Sequence, residues 1–250
     1  MKIKGFVKKI WAGLLWLVIW QVVAMLVNKK LILVSPVEVV ERLVELLPKG
    51  AFWSSIFTTG SRIIIGYLLG LAVGACLAVL AAKLSLVRDF LSPFMLTVKA
   101  VPVASFTILA LFFLSSKNLA ILVTFLIALP IVYSSILTGI DSMDKRLVDM
   151  AKLFRVAPHK KAIYIYFSQI LPYFKSAASV SAGLSWKSGV AAELIVITSA
   201  SIGEMLYHAK VELDSASLFA WTFVVILLSR LTEFVFLKLI DGAWHTVEKI

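Results

Sequence analysis

In one mostly apolar stretch, from about Tyr173 to Ile197, the sequence places an indole, an ammonium and a carboxylate: Trp186, Lys187 and Glu193. A lysine or glutamate at the centre of a membrane-spanning helix costs about 2.5–3.5 kcal/mol on insertion scales, so it faces a partner or a water-filled path. Two roles fit these residues. With Pro102 and Ser105 of an earlier apolar segment, they could line a route for a polar solute. Alternatively they are structural, with Lys187 and Glu193 in ion pairs within the chain or across a dimer. On a helix these two lie about 120° from eclipsed, which makes a direct pair between them poor.

Other chemistry finds little support. Cys76 is the only cysteine, so no intrachain disulfide forms, and its place in an apolar run reads as a small buried residue. His159, His208 and His245 are scattered, and no metal constellation follows from them. A membrane-embedded enzyme would need paired carboxylates, a histidine cluster or an activated nucleophile, and the polar residues within the apolar runs offer no such set. No G-x-x-x-x-G-K-[ST] segment is present to cradle nucleotide phosphates. No cofactor is called for.

The elements that carry these residues follow from composition. The chain has 250 residues, 61% of them hydrophobic and 16% charged, with a mean hydropathy of +0.98. A soluble domain carries roughly 25% charged residues, and one core of this length could not hide so much apolar surface. Lipid is therefore the expected solvent, and the fold class is an all-α integral membrane protein of about six transmembrane helices. The net charge of +11 is spread between apolar runs instead of gathered on one face, which argues against nucleic-acid binding.

Runs of about 20 apolar residues suit spanning helices. They fall at about Trp11–Val27, Ser61–Ala82, Phe90–Leu114 (broken by Pro93 and Pro102), Leu119–Leu137 (with Pro130), Tyr173–Ile197 and Leu218–Leu239. The first follows Lys2, Lys4, Lys8 and Lys9 and precedes Asn28-Lys29-Lys30 with no small-residue cleavage site, so it reads as an uncleaved helix. Pro36 opens a short amphipathic helix outside the bilayer, from Ser35 to Leu47. In the second run Gly66, Gly70, Gly74, Ala78 and Ala82 recur every fourth residue, a pattern that lets another helix approach closely.

With the N-terminus inside, fourteen Lys and Arg fall on cytoplasmic pieces: Lys2, Lys4, Lys8, Lys9, Lys83, Arg88, Lys145, Arg146, Lys152, Arg155, Lys160, Lys161, Lys238 and Lys249. Six fall outside: Lys29, Lys30, Arg42, Lys49, Lys117 and Lys210. That bias places both termini in the cytoplasm. The longest polar stretch, Asp141 to Lys161, is then cytoplasmic, and Leu147, Met150, Ala151 and Phe154 recur within it at helical spacing. Pro158 can open a second helix there.

The run Asp149-Met150-Ala151-Lys152-Leu153-Phe154-Arg155, followed by Ile170-Leu171-Pro172, resembles the EAA loop of binding-protein-dependent ABC importer permeases of the methionine-importer-like type. That loop reads Glu-Ala-Ala, three residues, Gly, then a form of Ile-x-x-Leu-Pro. Ser35-Pro36, Arg62 with Gly66-Tyr67 and Gly70, Pro102-Val103-Ala104, Gly183 with Ser185-Trp186, Ala191-Ala192-Glu193 and Ile202-Gly203 resemble the nitrate/sulfonate/taurine branch. The resemblance spans about residues 33–240. It departs at Asp149, where the usual residue is Glu, and at Arg155, where the usual Gly ends the docking helix. Arg155 should turn in another way or extend the helix to Val156.

The resemblance implies a single permease domain over 1–250, with its core at about 52–240, a docking loop at about 141–172 and the type I ABC importer fold. It implies separate ATPase subunits seated on Leu147, Asp149, Met150, Ala151, Phe154 and Arg155. An extracytoplasmic substrate-binding protein, a homodimer in the cytoplasmic membrane and alternating access also follow from it. The rival is an ion-coupled secondary transporter, which usually shows two repeated halves; no duplication is visible.

Overall fold

The computed structural model describes residues 2–27, 29 and 31–248, with side chains for 11–27, 29 and 31–245. The topological assignments of Lys30 and Lys249, and that of Asn28 after the first span, lie outside the described residues. Among these residues the chain is helical throughout: α1 (Lys2–Val27), α2 (Pro36–Leu46), α3 (Gly50–Lys83), α4 (Ser85–Ala100), α5 (Val103–Ala110), α6 (Ser116–Asp141), α7 (Lys145–Leu153), α8 (Pro158–Lys161), α9 (Ser168–Val196), α10 (Ile202–Val211) and α11 (Ser215–Glu248). A π-helical stretch, Ala162–Phe167, joins α8 to α9.

By length and apolarity α3 and α6 each suffice to cross a bilayer, and α4 with α5 form an apolar pair bent by 101°, the geometry of a broken span or a re-entrant loop. The break falls at Val101–Pro102, because Pro102 has no N–H to continue the ladder of α4. Pro93, expected to break the same segment, lies within α4. At 29 and 34 residues, α9 and α11 exceed the span of a bilayer, and α1 carries the apolar stretch Trp11–Val27. With α4–α5 taken as one segment and α1, α9 and α11 added, the described residues supply the six helical segments expected from the sequence. Large apolar side chains stay exposed around them, among them Trp16, Phe57, Leu86, Phe112 and Phe234, as lipid-facing surfaces require.

The centre is a three-helix contact of α3, α6 and α9. A Cβ added to Gly66 would lie 2.4 Å from the Ile121 carbonyl oxygen, and one added to Gly70 would lie 2.5 Å from the Ala128 Cβ. One added to Gly74 would come within 2.9 Å of the Leu129 carbonyl oxygen. These glycines let α3 and α6 touch backbone to backbone. Ala78 is buried in the same seam, but Ala82 is exposed and Ala81 takes its place. A four-residue step overshoots a helical turn by about 40°, so a straight helix carries such a series off its seam after a few turns. Cys76 is also exposed, on the outer side of α3, contrary to its expected burial.

Two apolar clusters fill the interior. One joins Tyr67, Leu71, Leu129, Val132 and Ala178 across α3, α6 and α9, and the Tyr67 hydroxyl donates to the Ala178 carbonyl at 2.9 Å. The other joins Val34, Phe52, Ile63, Trp186, Ile202 and Trp221, tying α2 and α10 to the bundle. Ser35 and Glu38 cap α2 reciprocally. The Arg42 guanidinium anchors α2 by bonds to Asp214 and Ser217, each 2.8 Å, just before and at the start of α11.

Candidate functional site: a buried carboxylate and a loop helix

Glu193 lies near the C-terminal end of α9 and is fully buried. Both carboxylate oxygens are engaged by α3: the Thr59 hydroxyl donates to Oε2 at 2.7 Å, and Arg62 Nη1 donates to Oε1 at 3.0 Å. Thr59 Oγ1 also accepts the backbone N–H of Ile202 at 2.9 Å, bringing in the N-terminus of α10. Gly203 makes that approach feasible, since a Cβ there would sit 2.5 Å from the Glu193 backbone. The link from α9 to α10 turns sharply through Ile197 and Ala200, at φ 50° and 53°. A left-handed β-branched residue is costly, and the surrounding bonds hold it: Thr198 N–H to the Glu193 carbonyl, and Ala200 N–H to Glu204.

The five sequence-derived route residues therefore separate. Trp186 is buried, its indole N–H donating to Thr232 Oγ1 at 3.0 Å, and Glu193 is spent on α3. Lys187, Pro102 and Ser105 stand on exposed surface, Pro102 and Ser105 at the break between α4 and α5. Arg62 belongs to the quoted motifs but was not recognised as the partner of Glu193. An arginine within an apolar run signals a need for a carboxylate, yet nothing local says which.

In the polar loop, Asp144 opens α7 by accepting the Arg146 N–H at 2.8 Å, and its own N–H donates to Gln169, which ties the loop to α9. The expected stripe divides here. Leu147, Met150 and Phe154 are exposed, but Ala151 turns inward at 2% exposure, while Leu153 stands out at 80%. Asp149 is exposed and pairs with Lys152 at 2.9 Å; that bond holds the Lys152 ammonium above its ordinary pKa.

Arg155 neither extends α7 nor finds a different turn. It adopts the left-handed conformation a glycine would take, at φ 49°. Its N–H donates to the Lys152 carbonyl, and the Val156 N–H donates to the Ala151 carbonyl at 3.0 Å. These are the two bonds of a Schellman termination. The backbone keeps the turn the glycine would make, and the Arg155 side chain carries a Cβ penalty.

A polytopic helical membrane protein with a short helix displayed on a polar loop and charges paired inside the bilayer has the build of a transport subunit. The chain belongs to the family described as binding-protein-dependent transport system inner membrane component, whose pattern matches residues 66–241. Among its relatives is the putative aliphatic sulfonates transport permease protein SsuC of Bacillus subtilis, 25% identical over 92% of this chain and 83% of that protein. The nitrate import permease protein NrtB of a Synechocystis strain is 26% identical over 77% of this chain and 73% of its own length. The bicarbonate transport system permease protein CmpB of the same organism is 26% identical over 65% of this chain and 58% of its own. A solved amino acid ABC transporter, determined with histidines, superposes with a TM-score of 0.56 at 14% identity, covering 82% of this chain and 97% of that one. The fold is that of a type I ABC importer permease, the chain is a membrane-spanning importer subunit, and relatives named for sulfonates and nitrate match the branch whose motifs it resembles.

Proposed function

We propose that the chain works as a homodimer with two separate ATPase subunits and an extracytoplasmic binding protein, moving a small anion inward by alternating access. The family match carries this reading, since its description couples transport to a binding protein. Relatives named for sulfonates, nitrate and bicarbonate share one chemical property, a small anionic cargo. The exposed face of α7, Leu147, Met150, Leu153 and Phe154, supports the ATPase-docking role. It is an apolar stripe on a polar loop, and such a stripe needs a partner groove. Both termini face the cytoplasm, as the basic bias favours.

Met150→Asp places a charge in the proposed contact without touching the inward Ala151. Permease purified from native membranes should then lose its ATPase, identified by mass spectrometry, at wild-type membrane abundance. A stably inserted Met150→Asp permease that still co-purifies with a full complement of ATPase would show that α7 is not the dock.

A further inference from the structure

Among the basic side chains of the spanning helices are Arg62, Lys99, Lys175, Lys187 and Arg230. Three have carboxylates. Arg62 holds Glu193, Lys175 bonds Asp241, and Arg230 holds Glu233 at 2.7 Å. Lys99 donates to the Ser134 hydroxyl at 3.0 Å. Of these five, only Lys187 has no hydrogen-bond or ion-pair partner among the described residues. An unpaired ammonium inside a bilayer is expensive and requires either an escape to the interface or a counter-charge. Escape is remote: Lys187 sits nine residues before the end of α9, about 14 Å along the helix, farther than a lysine arm reaches.

What Lys187 faces is a cavity of about 360 Å³ between α9 and α11, whose wall includes Gly183, Trp186, Thr222, Ser229 and Arg230. Glu233 is not part of this wall: one of its oxygens takes Arg230 and the other the Ser179 hydroxyl. The wall therefore offers two cationic side chains, two hydroxyls and no carboxylate. A cation would be repelled there, and a neutral solute would leave the Lys187 charge unanswered, since Arg230 already has Glu233. The volume lies in the range of small-ligand sites.

We propose that Lys187 and Arg230 form an intramembrane contact site for a small oxyanion of the sulfonate, nitrate or bicarbonate kind, reached on the passage between α9 and α11. This rests on the importer reading above and gives its cargo a place to touch. The ammonium supplies a mobile point charge, the remaining guanidinium donors a planar fork, and the Ser229 hydroxyl a further donor, the Thr222 hydroxyl being spent on the Leu218 carbonyl. An anionic lipid headgroup carries the same chemistry, and the experiment separates the two sources.

The permease is purified into nanodiscs of phosphatidylcholine and titrated with sodium methanesulfonate, nitrate or bicarbonate, against sodium chloride at equal ionic strength. The unfolding midpoint is the readout. At least one oxyanion should raise the midpoint in a saturable way. Lys187→Gln should weaken its apparent affinity about tenfold, the share of one charge-assisted hydrogen bond, and Lys187→Arg should retain most of it. Lys187 is exposed, so these variants should fold. Equal affinity in wild type and Lys187→Gln overturns the proposal. So does stabilisation that needs phosphatidylglycerol in the disc and no added oxyanion, because the counter-charge is then lipid. ATPase co-purification is scored in parallel: a wild-type permease that retains its ATPase but ignores all three anions overturns this inference alone. One that binds an anion through Lys187 but never carries an ATPase overturns the importer reading and leaves the site standing.

Discussion

Removing the Arg62 guanidinium is the most direct test of whether Glu193 builds the fold or serves a route. The carboxylate is 0% exposed, with one oxygen on Arg62 at 3.0 Å and the other on Thr59 at 2.7 Å. Arg62→Met leaves a buried charge with neutral donors only, the Thr59 hydroxyl and the Gly203 backbone N–H, and breaking a buried pair in this way costs about 3–5 kcal/mol. For a chain of this length each kcal/mol moves the melting midpoint by roughly 2–4 °C, so a fall on the order of 10 °C is expected. Adding Glu193→Gln removes the orphaned charge and keeps an acceptor for Thr59. The double variant should therefore recover roughly 2 kcal/mol, a coupling within the range seen for contacting residues. The assay is thermal unfolding of the purified permease in detergent, followed by circular dichroism, for wild type, both single variants and the double. If Arg62→Met melts with wild type, or the double variant melts no higher than Arg62→Met, the pair does not hold α3 to α9. Glu193 would then be free to meet a solute.

Two further outcomes follow from local structure. Arg155→Gly removes a left-handed Cβ cost of about 1–2 kcal/mol and returns part of it as the extra unfolded-state freedom of glycine, about 0.5–1 kcal/mol. The end of α7 should tighten, with amide exchange at Phe154 and Val156 roughly two- to fivefold slower; unchanged or faster exchange would show that Arg155 is not strained. For orientation, single cysteines are placed on a Cys76→Ser background and treated with an impermeant reagent in intact cells. Positions 117 and 212 should react and position 152 should not; reaction at 152 would invert the topology.

How much of this was legible depends on the range over which each feature is decided. The spans, the amphipathic α2 and the close seam at Gly66, Gly70 and Gly74 could be read along the chain, because each is a periodic pattern within one helix. The docking-loop resemblance was also local, and the family match covers that segment. Near misses came where a periodic pattern had to choose a neighbour. The four-residue series named Ala82 where the seam takes Ala81, and the α7 stripe included Ala151, which the loop turns inward. Spacing sets the angle between side chains on a helix but not which side meets the bundle.

Composition and order in the sequence determined the solvent and the apolar segments, because insertion into lipid is governed segment by segment through hydropathy and charge; the class of machine came from the motif resemblance, which the family match bears out. The tertiary structure alone decided which charge answers which. Arg62 and Glu193 are 131 positions apart and meet where Gly189 of α9 lies close against Ile63 of α3 and Gly203 lets α10 close over the end of α9. It alone decided that Arg155 takes a glycine's conformation, since two Schellman bonds outweigh the penalty of one Cβ. And it alone left Lys187 without a carboxylate, because a pair inside a membrane is a matter of which helix faces lie within hydrogen-bonding distance, and no local pattern encodes that distance.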